Sequence, residues 1–289
     1  MEVRHALPLL GLTLLACAPS GSKERVTYYP DGAVWSRGEV EGGRAHGLWR
    51  TWHPNGQLAS EGSYLGGIEH GRWAEYAADG TPLGERTYDA GQLEGPWLRC
   101  YPDGTPESRG EFYEGLRAGD WTDFHANGAV RSLGPYRTGR THGIWRSFRE
   151  DGSFEALQSF DQDVADGPYA RFGPDEQPLL VGEYDQGTPS GHWWTWNEAG
   201  VLVTFARRGA STGDDTDRIQ LTTLHPNGTV ASDGLLVNSV PSGSWRHWLP
   251  TGALDADLSG EYVDGARVAP LPEGIDPTPP TVPEPRIPR

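Results

Sequence analysis

Cysteine is scarce in this chain: Cys17 and Cys100 are the only two in 289 residues. That excludes a disulfide framework and a cysteine-based zinc site. Long apolar runs are missing too. The longest, from Ala6 to Ala16, falls short of the roughly 20 residues a helix needs to cross a bilayer. After residue 16 no uninterrupted stretch keeps a 3.6-residue apolar period, because Gly or Pro recurs every few residues, and helix is therefore a poor candidate. Basic residues are outnumbered, 24 against 40 acidic ones, for a net charge of −16. Such a surface repels phosphate backbones and anionic headgroups, so nucleic acid is not an expected partner. There is no G-x-S-x-G elbow, no phosphate-cradling P-loop and no H-E-x-x-H, and no catalytic centre or cofactor is expected.

What the chain has in abundance is 40 Gly, 24 Pro and 12 Trp. Glycine and proline at this level border on low complexity, but large aromatics supply buried area that disordered chains lack. These residues recur in order. Gly47–Gly56 (GLWRTWHPNG) returns as Gly71–Gly80, Gly95–Gly104, Gly119–Gly128 and Gly143–Gly152, and the leading glycines continue at Gly167 and Gly191, always 24 residues apart. Counting from that glycine, the third position carries Trp49, Trp73, Trp97, Trp121, Trp145, Tyr169, Trp193 and Trp245. A fixed period in this range marks a repeat architecture.

Each unit reads as a β-hairpin. Pro54-Asn55-Gly56 and its equivalents are turn sequences, in which proline presets φ and glycine closes the turn left-handed. Past the turn, positions 12, 14, 16 and 18 share a parity and are expected on one face. Position 16 is often glycine (Gly62, Gly110, Gly134, Gly182, Gly234) and position 18 often a ring. A bare glycine inside a strand implies something lying close against the backbone, and the third-position indoles are expected to cover these. Positions 3 and 6 differ in parity, so either a bulge realigns Trp49 with Trp52 or both faces carry rings. The expected fold is all-β: an elongated antiparallel meander of about ten 24-residue hairpins in a single twisted layer.

The period and the G-x-W-x-x-(aromatic)-x-x-(D/N)-G core resemble the variant form of the membrane occupation and recognition nexus (MORN) repeat, in bacterial proteins often catalogued as YwqK family antitoxins. The resemblance runs over roughly residues 25–265. It implies hairpin arrays with protein-binding or surface-binding roles and no defined active site.

Near the start of the sequence, Leu14-Leu15-Ala16-Cys17 resembles the bacterial lipoprotein box. This implies a signal peptide over 1–16, lipidation of Cys17, and a flexible tether over 17–24. Stable anchoring needs more than one acyl chain, which such lipidation supplies. Ala18 following the cysteine implies the outer membrane, with the chain facing the periplasm or the cell surface. Regular repeats are expected over 25–206, an insertion loop over 207–218 and terminal repeats over 219–265. Residues 266–289, with 8 prolines in 24, are expected to form a disordered, partly polyproline-II tail.

Candidate sites are few. His46, His70 and His142, like His53, His125 and His225, sit at repeat-equivalent positions about 9.6 Å apart or more. That is too far for two nitrogens to share a zinc ion at about 2.1 Å, so no metal is expected. Asp214-Asp215-Thr216-Asp217 lacks calcium-loop spacing and reads as a solvated insertion. Cys100 takes a position held elsewhere by rings and reads as a packing filler, with a reactive thiol as the alternative. Among the rings, Trp35 and Trp194 lie off the main positions. The cluster His192, Trp194 and Trp196 is the densest, making Trp35, Trp194, Trp196 and His192 the candidate binding residues. The expected function is a non-enzymatic, lipid-anchored scaffold or immunity-type factor with an envelope protein as partner. The alternative is a module that stacks exposed rings on peptidoglycan or another glycan.

Overall fold

The computed structural model describes residues 21–209 and 216–288. Cys17, the segment 1–16 and Asp214-Asp215 lie outside these. The described residues contain no helix and form a 22-stranded sheet in which strands consecutive in sequence pair antiparallel. The first six strands are β1 (Lys23–Tyr28), β2 (Val34–Glu41), β3 (Arg44–Trp52), β4 (Leu58–Leu65), β5 (Ile68–Tyr76) and β6 (Pro82–Asp89). Then come β7 (Gln92–Cys100), β8 (Pro106–Tyr113), β9 (Leu116–Phe124), β10 (Val130–Arg137), β11 (Arg140–Thr141), β12 (Gly143–Phe148) and β13 (Phe154–Asp161). The array continues with β14 (Val164–Phe172), β15 (Pro178–Asp185), β16 (Thr188–Trp196), β17 (Leu202–Arg208), β18 (Arg218–Leu224) and β19 (Val230–Val237). It ends in β20 (Val240–His247), β21 (Gly260–Val263) and β22 (Ala266–Ala269). β11 and β12 both pair with β10 and are two pieces of one strand.

Two kinds of turn alternate. At one edge the Asp/Asn side chain accepts the backbone N–H two residues on, as Asn55 does from Gln57 and Asp103 from Thr105. At the other edge two adjacent residues take positive φ, for example Gly66-Gly67 and Glu114-Gly115. This is the two-residue turn whose twist matches that of the flanking strands. Apolar side chains beside these tight turns, Ile68, Leu116, Val164 and Val240, lie against the turn glycines Gly91, Gly139, Gly187 and Gly265 of the next hairpin.

The leading glycines have a backbone reason. Gly38 pairs with Trp49 while Glu39 pairs with His46, so Gly47-Leu48 bulge out of the ladder, and Gly47 sits at φ +66°. The equivalent bulges are conformations an L residue adopts only at a cost.

A second register shift corrects the expected faces. Thr51 pairs with Ser60 but Trp52 pairs with Leu58, which leaves Ala59 as the extra residue. That bulge flips the parity between positions 12 and 16. Position 12 therefore shares a face with position 6, not with the glycine row. No bulge within β3 separates Trp49 from Trp52, so both faces of the sheet carry rings. On the first face, Trp49, Tyr64 and Trp73 pack edge to face with centroids 6.0 and 5.0 Å apart, and Phe112, Trp121, Tyr136 and Trp145 continue the line. Six of the indoles lie flat on the preceding unit's glycine, while Trp97 faces Arg86: a Cβ added at Gly38, Gly62, Gly110, Gly134, Gly182 or Gly234 would collide with the ring. The indole N–H of Trp49, Trp121, Trp145 and Trp245 then donates to the carbonyl just beyond that glycine. Trp73 Nε1 is buried without such a partner.

On the second face, Phe148, Phe154 and Phe172 pack as tilted rings with centroids 5.5 and 5.0 Å apart, and Ala170, Phe172, Val181 and Trp194 form a buried cluster.

Boundaries differ from expectation at three places. Lys23 and Glu24, expected in the tether, pair in β1. Arg207, Arg208 and Arg218, expected in the insertion, belong to β17 and β18, with Arg208 paired to Ile219. The tail is the largest difference. Ala266–Ala269 form β22, and the proline-rich segment after it lies against the second face, where Trp248 and Trp194 donate to its carbonyls.

Candidate functional site

The second face from β12 to β20 is where the structure gathers chemistry. Trp194 is the surplus indole of its unit. Strand pleat puts it on the same face as Trp196, and beside Val181 of β15, with which it is in register. His192 and Phe205 flank it, with centroids 5.8 and 5.5 Å from the Trp194 ring. Three of the four sequence candidates, His192, Trp194 and Trp196, are thus brought together. Trp35 is not: it stands in β2, half-exposed at 50%.

Trp194 is not an open stacking platform, being only 8% exposed. Val282 of the tail packs on its cluster, and its Nε1 donates to the Pro283 carbonyl at 2.8 Å. Trp248 repeats the arrangement, donating to the Pro277 carbonyl at 2.7 Å. Arg246 lies over the Trp248 ring at 5.4 Å and donates to the Asp276 carbonyl at 3.2 Å. Arg246 is itself held by Asp233 at 2.6 Å. Further along, Ile287 and Pro288 meet Phe148, Phe154 and Phe172 across a cleft of about 620 Å³. A neighbouring cleft of about 540 Å³ lies between His192, Trp194 and the tail residues Pro283 and Arg286.

The tail contacts were missed in the sequence. The signal was present in the one indole, Trp194, for which the repeat has no use, and in a terminal segment built of proline.

The other candidates resolve into structure. His53, His125 and His225 each donate from Nε2 to a carbonyl 23 residues on, those of Tyr76, Phe148 and Trp248, at 2.8 Å. They tie one hairpin turn to the next. His46, His70 and His142 instead approach carboxylates, those of Glu41, Asp89 and Asp161. Among the described residues no group of three His, Cys, Asp or Glu is placed to hold a metal ion. Cys100 is buried, and burial, with Glu85 and Asp103 nearby, pushes its thiol above the ordinary value. Less thiolate forms at neutral pH, as suits a filler. It lines a cleft of about 550 Å³ with Glu75, Glu85, Arg86, Arg99 and Glu107. The hydrogen bond from Arg72 holds the Glu85 carboxyl below its usual range despite some burial, the reverse of what a general acid at neutral pH needs.

The turn carboxylates carry a pH dependence. Asp79 and Asp151 are lowered first by the Thr81 and Ser153 hydroxyls, and Asp103 first by the Thr105 amide. A carboxyl depressed in the folded state stabilises above its unfolded value and loses that contribution as pH falls through the folded one. The triple variant Asp79→Asn, Asp103→Asn, Asp151→Asn should therefore differ from the parent by a constant amount above about pH 5, with the gap closing below about pH 4. Thermal melts across that range read the effect. A gap that widens on acidification would refute it.

The family model described as MORN repeat variant matches residues 45–65, the stretch from the second residue of β3 to the end of β4. The chain carries this repeat, and the other hairpins keep its register. No curated protein matches. Among solved structures, a TcdB2-TccC3 crystal structure aligns at 11% identity over 89% of this chain and 16% of that one, with a TM-score of 0.23. A mutant Tc holotoxin pore of Photorhabdus luminescens aligns at 12% identity, 89% and 15% coverage and a TM-score of 0.23. The chain spans about a sixth of those proteins, and similarity at this level carries no argument.

Proposed function

We propose that this protein is a non-enzymatic scaffold of MORN-like hairpins, anchored by lipid at Cys17 to the outer membrane. It would present its aromatic second face to a protein partner in the cell envelope, as a scaffold or immunity-type factor. The observation that carries this reading is that the face already holds an extended protein segment, bound through indole donors and an apolar cluster. The resemblance of Leu14–Cys17 to a lipoprotein box supports the anchor. The test is mild crosslinking of the full chain in intact envelopes, with adducts mapped by residue. A reproducible protein adduct on the ribbon, lost together with membrane association in Cys17→Ser, is expected. No adduct, or an unchanged adduct from a soluble Cys17→Ser chain, would overturn it.

A second reading has one observation in its favour, the half-exposed ring of Trp35. Such a ring can stack on a sugar. Retention on peptidoglycan that is lost in Trp35→Ala would favour a glycan-binding module over the scaffold.

A further inference from the structure

We infer that the second face between β14 and β20 is a recognition surface for proline-rich extended segments, and that the chain's own tail is a tethered, displaceable occupant of it. This deepens the scaffold reading and rests on it. Four observations converge on the inference.

The first is spacing. Trp248 and Trp194 hold carbonyls six residues apart, those of Pro277 and Pro283. Six residues of polyproline II at 3.1 Å each extend about 19 Å. Trp194 lies in β16 and Trp248 directly follows β20, so four strand spacings of about 4.8 Å separate them, again about 19 Å. The rise of a polyproline helix and the pitch of the sheet are commensurate along this direction.

The second is the nature of the polar contacts. Trp194, Trp248 and Arg246 all donate to main-chain carbonyls of the tail. Such bonds read the backbone, not the side chains, and any segment of the same conformation offers the same acceptors. The third is that proline has no N–H, so an apolar sheet face covering it strands no donor. Its conformation is preset as well, which lowers the ordering cost of docking. Aromatic grooves that take PPII segments work on these grounds.

The fourth is composition of the contact. Val282 enters the cluster of Ala170, Phe172, Val181 and Trp194, while the residues around it are mostly prolines. Two apolar side chains, Val282 and Ile287, and a few carbonyl bonds fix the register, which is a modest hold. Tethering sustains it, because a linked segment competes at an effective concentration in the millimolar range. A segment in trans must overcome that advantage, so access to the face is set by how firmly the tail sits.

The experiment uses the full chain and a synthetic peptide of residues 270–288 carrying a fluorophore, read by anisotropy. The loosened variant Val282→Asp, Ile287→Asp should bind the peptide at least tenfold more tightly than the parent. Adding Trp194→Phe and Trp248→Phe, which keep the rings but remove both donors, should weaken that binding by about tenfold or more. Circular dichroism and a thermal melt confirm that each variant is folded. The inference falls if neither parent nor loosened variant binds, if both bind equally, or if the two Phe substitutions change nothing. Equal binding by a peptide with every proline replaced by alanine removes the polyproline element and overturns it too. A protein adduct in envelopes that ignores the Phe substitutions would leave the scaffold standing and sink only this surface. Peptide binding without any envelope adduct would do the opposite.

Discussion

Trp121→Ala should cost about 3–5 kcal/mol, the range for deleting a fully buried large ring. Trp121 is 1% exposed, the most enclosed indole of the first face. Its ring packs edge to face on Phe112 at 5.3 Å and Tyr136 at 5.8 Å, and Arg117 lies over it at 4.3 Å. Its Nε1 bonds the Glu111 carbonyl at 3.2 Å. Neighbours cannot collapse into the space, because the floor beneath is the bare backbone of Gly110. Gly110→Ala attacks the same contact from below: the added methyl collides with the ring, at a cost of about 1–3 kcal/mol. In an array each hairpin is held by its neighbours, so stability is close to a sum of adjacent terms. A deep lesion in β9 should thus split the urea transition in two as the flanking segments lose contact. Trp35→Ala, half-exposed at one end, should stay within about 0.5 kcal/mol. A loss below about 1 kcal/mol for Trp121→Ala would mean that the indole–glycine stack is not what holds the sheet.

The period exposed much of this. A ring at position 3 of one unit and a glycine at position 16 of the one before were legible as a pair, since only a close neighbour explains Gly62 or Gly110 inside a strand. The turns were legible from Asn-Gly and Asp-Gly. What escaped were the bulges. One extra residue, Ala59, moves Leu58 to the other face, and nothing in its chemistry announces that it is unpaired. The part played by His53 and His125 was likewise hidden, because their acceptors are backbone carbonyls 23 residues away. The tail escaped for a related reason. Composition describes what a proline-rich segment does alone, whereas its place here is decided by two indole donors set at a matching distance. Trp194 stood out as a ring off the main repeat positions, and Val282 and Pro283 of the tail lie over it.

Trp194→Ala should also cost about 3–5 kcal/mol, but the loss should divide differently. Part belongs to the sheet, through Val181 and through Phe205, whose centroid is 5.5 Å away. Part belongs to the tail, through Val282 and the bond to Pro283. Val282→Ala, which deletes two methyl groups' worth of burial, should cost about 1.5 kcal/mol. Because both side chains meet in one cluster, the double variant should cost less than the sum, with a coupling of roughly 0.5–3 kcal/mol. Trypsin reads the tail directly: cleavage after Arg286 should accelerate in Trp194→Ala and in Val282→Ala. In Trp121→Ala it should not, because that ring lies on the opposite face, six strand spacings or about 29 Å away. Trp121→Ala and Trp194→Ala should accordingly add within about 0.5 kcal/mol. Additivity between the faces, together with coupling across the tail contact, is what two separate cores on one sheet require. Strong coupling between Trp121 and Trp194, or a tail indifferent to Trp194, would mean that the two layers of rings act as one and that the tail is held elsewhere.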